Sequence, residues 1–201
     1  YTFSDDKGKE YLTFLNYRTN QILFYDLETT DFLFKLNLNS EGPHGVVQPT
    51  GLYVKDLNHI YVSSYVYSGL MRVDTTCHII QKIPYGITSK GYNVLPSYTP
   101  SSHPYIAPVI IDKKIYITQN AIDRFHPIVD TPLSVVIDTV QKSCEDLPLT
   151  YGILTEKELA IKDPRFSRVF NGKEFIYSFY VSEDIVVTSV DHSEVKKISV
   201  K

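Results

Sequence analysis

Six side chains in the long polar segments of this 201-residue chain have the chemistry of a binding or acid–base site. Histidine and arginine bind anions and carboxylates, and histidine also transfers protons near neutral pH. An exposed tyrosine ring adds a flat surface with a polar tip. We predict a site that binds an anion or a carboxylated sugar, or that performs acid–base catalysis on such a ligand. The residues of this site are His44, Tyr92, His103, Arg124, His126 and Arg165.

The alternative interpretation is that each of these side chains is solvated or fastens its own loop. Named catalytic motifs are absent: the sequence has no phosphate-binding glycine-rich loop, no HExxH, no Gly-x-Ser-x-Gly and no paired CxxC. We therefore assign no catalytic residue, no metal ligand and no cofactor from the sequence.

The loops that carry these residues separate four copies of one pattern. In each copy a polar turn leads into an aromatic-rich strand, and a later strand ends in an aspartate, at Asp26, Asp74, Asp138 and Asp191. A four-stranded unit repeated at this spacing is typical of a β-propeller blade. The sequence therefore predicts an all-β fold built from four-stranded antiparallel blades.

We interpret residues 1–201 as a single β-propeller domain with blades near 1–38, 50–84, 106–149 and 166–201. Four blades are enough to close a small ring. Because the first residue lies deep within a repeat, we expect instead that the domain is incomplete at one or both ends. The parent protein would then be a six- or seven-bladed propeller.

The long loops are expected to emerge on one face of the propeller. Connections from the second to the third strand of a blade, and from the outermost strand to the next blade, share that face. Binding sites are usually built on loops gathered at one end of a rigid scaffold. The six candidate residues should therefore surround the mouth of the axial channel. The loops concerned are residues 39–49, 85–105, 120–132 and 149–165, and we also group Arg168 with the exposed loop cations of this face.

Three local features give further expectations. The repeated aspartates should accept hydrogen bonds from backbone N–H groups in the turn that follows each of them. The spacing of Thr155 and Glu158 is that of a capping box and predicts a short helix. Cys77 and Cys144 lie in the outer turns of neighbouring repeats, farther apart than the ~7 Å that a disulfide spans, so both should be free thiols.

Composition excludes several classes of protein. A net charge of −3 and a pI near 6.1 give no basic surface for nucleic acid. No apolar run approaches the roughly 18–20 residues of a membrane span. A hydrophobic fraction of 43% with 21% charged residues is that of a folded globular protein.

The stretch from Tyr11 to Pro84 carries a resemblance to a known family. The residues concerned are Tyr25-Asp26-Leu27, Gly42-Pro43-His44-Gly45, Pro49-Thr50-Gly51-Leu52, Ile60-Tyr61-Val62 and Arg72-Val73-Asp74. With them the chain resembles TolB-like six-bladed β-propeller lipoproteins of Bacteroidetes, a family of unknown function. The resemblance implies a periplasmic or cell-surface protein held by a lipid anchor outside this chain. It supplies no catalytic residue.

Two functions remain open from the sequence. The first is a non-enzymatic binding or scaffolding propeller whose partner is a small molecule, a carbohydrate or a protein. The alternative is a hydrolase or lyase that acts on a sugar or lactone at the mouth of the axial channel. The predicted inner strands offer few carboxylates or histidines for such chemistry, which favours binding.

Overall fold

The structure is a computed structural model that describes residues 2–42, 45–64, 66–67, 69–84, 87, 91, 107–119, 128–161 and 165–200. Within these residues the chain forms sixteen β-strands, one short α-helix and two 3-10 turns. The strands are arranged in four antiparallel sheets of four strands each, always in sequence order. The all-β class and the four four-stranded sheets predicted from the sequence are thereby confirmed.

The chain divides into two compact units, one within residues 1–86 and one within residues 105–201. In the first unit, the first sheet contains β1 (Thr2–Ser4), β2 (Glu10–Asn16), β3 (Gln21–Asp26) and β4 (Phe32–Asn37). The second sheet contains β5 (Pro49–Asp56), β6 (His59–Ser64), β7 (Gly69–Val73) and β8 (Ile79–Pro84).

The core of the first unit lies between its two sheets. Phe3 and Phe24 of the first sheet pack with Leu52, Val62 and other buried side chains of the second sheet in one cluster. Alternate residues of a strand point to the same face, so one apolar residue in two is enough to build this interface. The two sheets therefore stabilise each other.

The second unit has the same design. The third sheet of the chain, which is the first of this unit, contains β9 (Val109–Ile111), β10 (Lys114–Thr118), β11 (Ser134–Asp138) and β12 (Ser143–Asp146). Its fourth sheet contains β13 (Phe166–Phe170), β14 (Phe175–Phe179), β15 (Asp184–Thr188) and β16 (Val195–Ser199). The two 3-10 turns are Ile128–Asp130 and Tyr151–Ile153, and the helix α1 is Glu156–Leu159.

The predicted capping box is confirmed. The Thr155 hydroxyl accepts a hydrogen bond from the Glu158 backbone N–H at 3.3 Å. The Glu158 carboxylate in turn accepts one from the Thr155 N–H at 2.7 Å. These two bonds satisfy N–H groups that have no partner inside so short a helix.

The predicted aspartate turns are confirmed in the first three sheets. The Asp26 carboxylate accepts from the N–H groups of the residues two and three positions later, at 3.0 and 3.1 Å. Asp138 does the same at 2.8 Å for both bonds. Asp74 accepts from the N–H of Thr76 at 2.8 Å and from that of His78 at 3.0 Å.

The fourth sheet departs from the prediction that its third strand ends at Asp191. Strand β15 already ends at Thr188. Ser189 takes the turn position: its N–H donates to the Glu194 carbonyl at 3.1 Å, and its hydroxyl accepts from the Glu194 N–H at 3.0 Å. A serine hydroxyl closes such a turn as an aspartate does. The predicted aspartate turn is nevertheless present, because the Asp191 carboxylate accepts from the Ser193 N–H at 3.1 Å; only the predicted end of the strand is wrong.

Both cysteines are free, as predicted, and the structure shows that both are also buried. Burial raises the pKa of the Cys144 thiol to about 12 and also raises the pKa of Cys77. A thiolate is the reactive form of cysteine, so a raised pKa lowers the reactivity of both groups near neutral pH.

We therefore expect Cys144 to react with dithionitrobenzoate far more slowly in the folded protein at pH 8 than in the denatured one. Absorbance of the released thiolate measures the rate. In guanidinium chloride without reductant, two thiols per chain should titrate. Rapid reaction of both thiols in the native state would contradict the buried placement.

Candidate functional site

Five of the six predicted site residues, His44, Tyr92, His103, Arg124 and His126, lie outside the described residues. Their grouping on one face stays a prediction. The sixth, Arg165, directly precedes β13 and is exposed.

Arg165 is held at the end of the fourth sheet by an aromatic contact. Its guanidinium carbon lies 4.7 Å from the centroid of the Tyr180 ring, a cation–π geometry. The Tyr180 N–H also donates to the Arg165 carbonyl at 3.1 Å. The contact keeps this exposed guanidinium beside the Tyr180 ring.

Arg168 corrects an expectation, because the sequence grouped it with the exposed loop cations. It lies in the middle of β13 and is almost fully buried. Its Nη1 donates to the Ser134 hydroxyl at 3.0 Å, and its Nη2 donates to the carbonyls of Ala107 and Tyr116 at 2.9 and 3.0 Å. The alternation of the strand directs this side chain toward the third sheet rather than toward solvent.

A chain of hydrogen bonds continues from Arg168 through the core of the second unit. The Ser134 and Tyr177 hydroxyl oxygens are 2.8 Å apart, and the Tyr177 hydroxyl is 2.5 Å from Nε2 of His192. Nδ1 of His192 lies 3.2 Å from the Val190 carbonyl. Because a carbonyl only accepts, we assign the proton of a neutral His192 to Nδ1. Tyr177 then donates to His192, Ser134 donates to Tyr177, and Arg168 donates to Ser134.

Burial determines the protonation of this network. It lowers the pKa of His192 to about 4 and raises the pKa of Tyr177, so both side chains are neutral near pH 7. The network therefore contains a single positive charge, on Arg168. His192 is 1% exposed. A substrate has no access to it, and the arrangement works as a structural brace.

A pocket of about 500 Å³ lies in the first unit. It is formed by the turn between β2 and β3 and by the connection from β4 to β5. In a β-propeller, these two types of connection share one face. The lining residues are Tyr17, Asn20, Ser40, Val47, Gln48, Pro49 and Thr50.

Unusual backbone conformations shape this pocket. Asn20 and Gln48 have φ angles of +52° and +47°, in the left-handed region that residues other than glycine rarely adopt. The Leu38 N–H donates to the Asn20 carbonyl at 2.8 Å, which fixes the turn against β4. At Gly45 a Cβ atom would lie 2.7 Å from the Glu41 carbonyl oxygen, so the connection folds back only with glycine there.

The pocket offers neutral hydrogen-bonding groups and one aromatic surface. Every lining side chain that the structure describes is uncharged. Tyr17 is 66% exposed, and neither it nor Gln48 has a side-chain hydrogen bond to another described residue. The sequence drew attention to residues 39–49 because of their length but missed Tyr17 and Asn20. The feature of the sequence that could have indicated this part of the pocket was a tyrosine in a short polar turn.

The described residues contain neither a metal site nor a membrane-spanning helix. No three or more His, Cys, Asp or Glu side chains are grouped so that they could hold a metal ion there. No helix in the same residues has the length and apolar character needed to cross a membrane.

The chain belongs to the family described as "Domain of unknown function (DUF4221)", whose family model matches residues 1–201. The comparison with curated proteins gave no match.

Solved structures share the fold. A crystal structure of a DUF4221 family member from Bacteroides vulgatus matches with a TM-score of 0.77 and 18% identity. The alignment covers 100% of this chain and 57% of that chain, so this chain spans little more than half of its relative. Hsv2 of Kluyveromyces lactis matches with a TM-score of 0.53 and 10% identity, over 99% of this chain and 48% of that one. These likenesses indicate a propeller-like all-β arrangement.

We predict that the buried histidine makes folding stability depend on pH. His192 has a pKa near 4 in the folded protein against an ordinary value of 6.5, so the unfolded chain binds the proton more tightly. The stabilisation is fully present above pH 6.5 and is lost as the pH falls to about 4. Roughly 2–4 kcal/mol of unfolding free energy should disappear in this window. Urea denaturation at a series of pH values measures it.

The control is His192→Gln, which should remove most of this slope between pH 4 and 6.5. An unchanged slope in that variant would mean that His192 is not the titrating group.

We also predict that Arg168→Met destabilises the second unit by about 3–5 kcal/mol, because buried carbonyl groups lose their donors. Chemical denaturation followed by circular dichroism measures the loss. Arg18→Met, at an exposed turn, should change stability by less than about 0.5 kcal/mol. Equal effects of the two substitutions would contradict the bracing role.

Proposed function

We propose that this chain is the ligand-binding part of a non-enzymatic β-propeller and that the pocket of the first unit binds the ligand. The observation that carries the proposal is the meeting of two connections, after β2 and after β4, around one open pocket. Loops held by a rigid sheet are where binding sites are usually found.

The chemistry of the lining supports a neutral carbohydrate as the ligand. Amide and hydroxyl groups of Asn20, Ser40 and Gln48 match the hydroxyl groups of a sugar. The Tyr17 ring offers an apolar surface for the C–H face of a sugar ring. A charged ligand would find no counter-charge among these lining residues. The cationic residues predicted from the sequence remain a separate expectation, for an acidic sugar.

The strained backbone at the pocket also supports a binding role. Left-handed residues other than glycine cost of order 1–3 kcal/mol each and are concentrated at functional sites. Gln48 is of this kind and lines the pocket. Asn20 lines it too, although asparagine adopts this conformation more readily than most residues, and five further described residues of this kind lie in turns away from the pocket.

We further propose that the four sheets are blades of a propeller with more than four blades. This chain spans only 57% of the Bacteroides vulgatus relative, and that difference in length supports the proposal. A location in the periplasm or at the cell surface, with a lipid anchor, stays a proposal that rests on the resemblance to TolB-like lipoproteins. The complete reading frame tests both statements.

The experiment is isothermal titration calorimetry of the full-length protein. The ligands are neutral oligosaccharides (maltohexaose, cellohexaose, mannohexaose) and galacturonate oligomers. We expect binding of a neutral sugar. Tyr17→Ala should raise its Kd about tenfold, equal to about 1.4 kcal/mol. Tyr180→Ala, at another exposed tyrosine, is the matched control and should leave the Kd unchanged.

Gln48→Gly separates binding from folding. Glycine adopts the left-handed φ of Gln48 without strain, so stability should hold or rise while binding weakens. If only galacturonate oligomers bind, and Arg124→Ala abolishes that binding, the neutral pocket is not the site. The cationic loop residues would then carry the function.

A further inference from the structure

The first sheet has an exposed apolar face opposite the face that packs on the second sheet. We call it the outer face, formed by Leu12, Phe14, Leu23, Tyr25 and Phe32. Phe14 is 49% exposed and Phe32 is 54% exposed. The Tyr25 ring lies 5.8 Å from the Phe14 ring and 5.5 Å from the Phe32 ring, both in edge-to-face contact. A connected aromatic cluster of this kind on a sheet face indicates an interaction surface.

The repeat shows what such a face contacts in the second sheet. Asp26 and Asp74 hold the same turn position, since each N–H donates to a carbonyl at the start of the next strand. Counting back from them, Leu23 is equivalent to Met71 and Tyr25 is equivalent to Val73.

The neighbouring strand extends the equivalence. Leu12 pairs with Tyr25 as Ile60 pairs with Val73. Phe14 pairs with Leu23 in the first sheet as Val62 pairs with Met71 in the second. The outer face of the first sheet therefore repeats, strand by strand, one face of the second sheet.

In the second sheet, that face is completely covered. Ile60, Val62 and Val73 are 0% exposed, and Met71 is 2% exposed. All four belong to the core cluster that includes Phe3, Phe24 and Leu36 of the first sheet. The occupant of such a face is thus a four-stranded sheet that presents its own alternate apolar residues.

We propose that the outer face binds a further four-stranded antiparallel sheet of the full-length polypeptide. The Bacteroides vulgatus relative, of which this chain spans 57%, is long enough to supply one. This inference rests on the proposed longer propeller but not on ligand binding, so its test is independent of any sugar.

The experiment is hydroxyl-radical footprinting of the full-length protein, read by mass spectrometry at single aromatic residues. Oxidation of Phe14 and Phe32 should fall to the level of buried Phe24, whereas exposed Tyr17 should remain reactive. Oxidation of Phe14 and Phe32 at the rate of Tyr17 would overturn the proposal. Protection that disappears when the protein is diluted to a monomer would also overturn it, because the occupant would be a second copy.

A substitution pair gives a second readout. Phe14→Asp should lower the Tm of the full-length protein by about 5 °C or more, since it places a charge in a buried interface. Ile80→Asp is the matched control, because Ile80 is 50% exposed and lies on edge strand β8 of the second sheet. Equal shifts for the two variants would contradict a covered outer face.

Discussion

A sheet of four short strands has two faces, and in this chain both faces carry apolar side chains. Such a sheet cannot cover itself, so each one depends on face-to-face packing with a neighbour. The second sheet shows the result, with Ile60 and Val62 removed from solvent by the first sheet. The loops that form the pocket are positioned by this packing, because they begin and end on strands that it fixes.

The features that sequence reasoning predicted correctly are those decided by local chemistry. Strand alternation, the capping box of Thr155 and the turns after Asp26 and Asp138 each depend on residues only a few positions apart. The fourth sheet shows the limit of the same reasoning. Ser189 and Asp191 are two residues apart and both accept a backbone N–H in the same turn, so the aspartate identified the turn but not the residue at which β15 ends.

The features that sequence reasoning missed depend on packing between distant segments. Arg168 was placed among exposed cations because nothing near it in sequence signals burial. Its partners Ala107, Tyr116 and Ser134 are 61, 52 and 34 residues away. For the same reason the sequence predicted only one of the two segments that form the pocket. The length of the β4–β5 connection is visible in the sequence, but its contact with the turn at Tyr17 is not.

Within the second unit, the buried network explains how a polar core is tolerated. One guanidinium donates to two carbonyls and a hydroxyl, and the donors then run in one direction to His192. Such a network rigidifies a core when its donors and acceptors are paired, and here the buried Arg168 Nε–H is a donor without a partner among the described residues. The network is closed to solvent, whereas the pocket of the first unit is open. This contrast is why we propose that the pocket binds the ligand and that the network supports the fold.

Hydrogen–deuterium exchange of the full-length protein with and without a bound oligosaccharide tests this assignment most directly. The account predicts that the ligand slows exchange at the amides of residues 17–21 and 45–50, where the pocket is formed. Exchange of residues 186–194, around the buried network, should not change. Protection at residues 186–194 without protection at the pocket would contradict it.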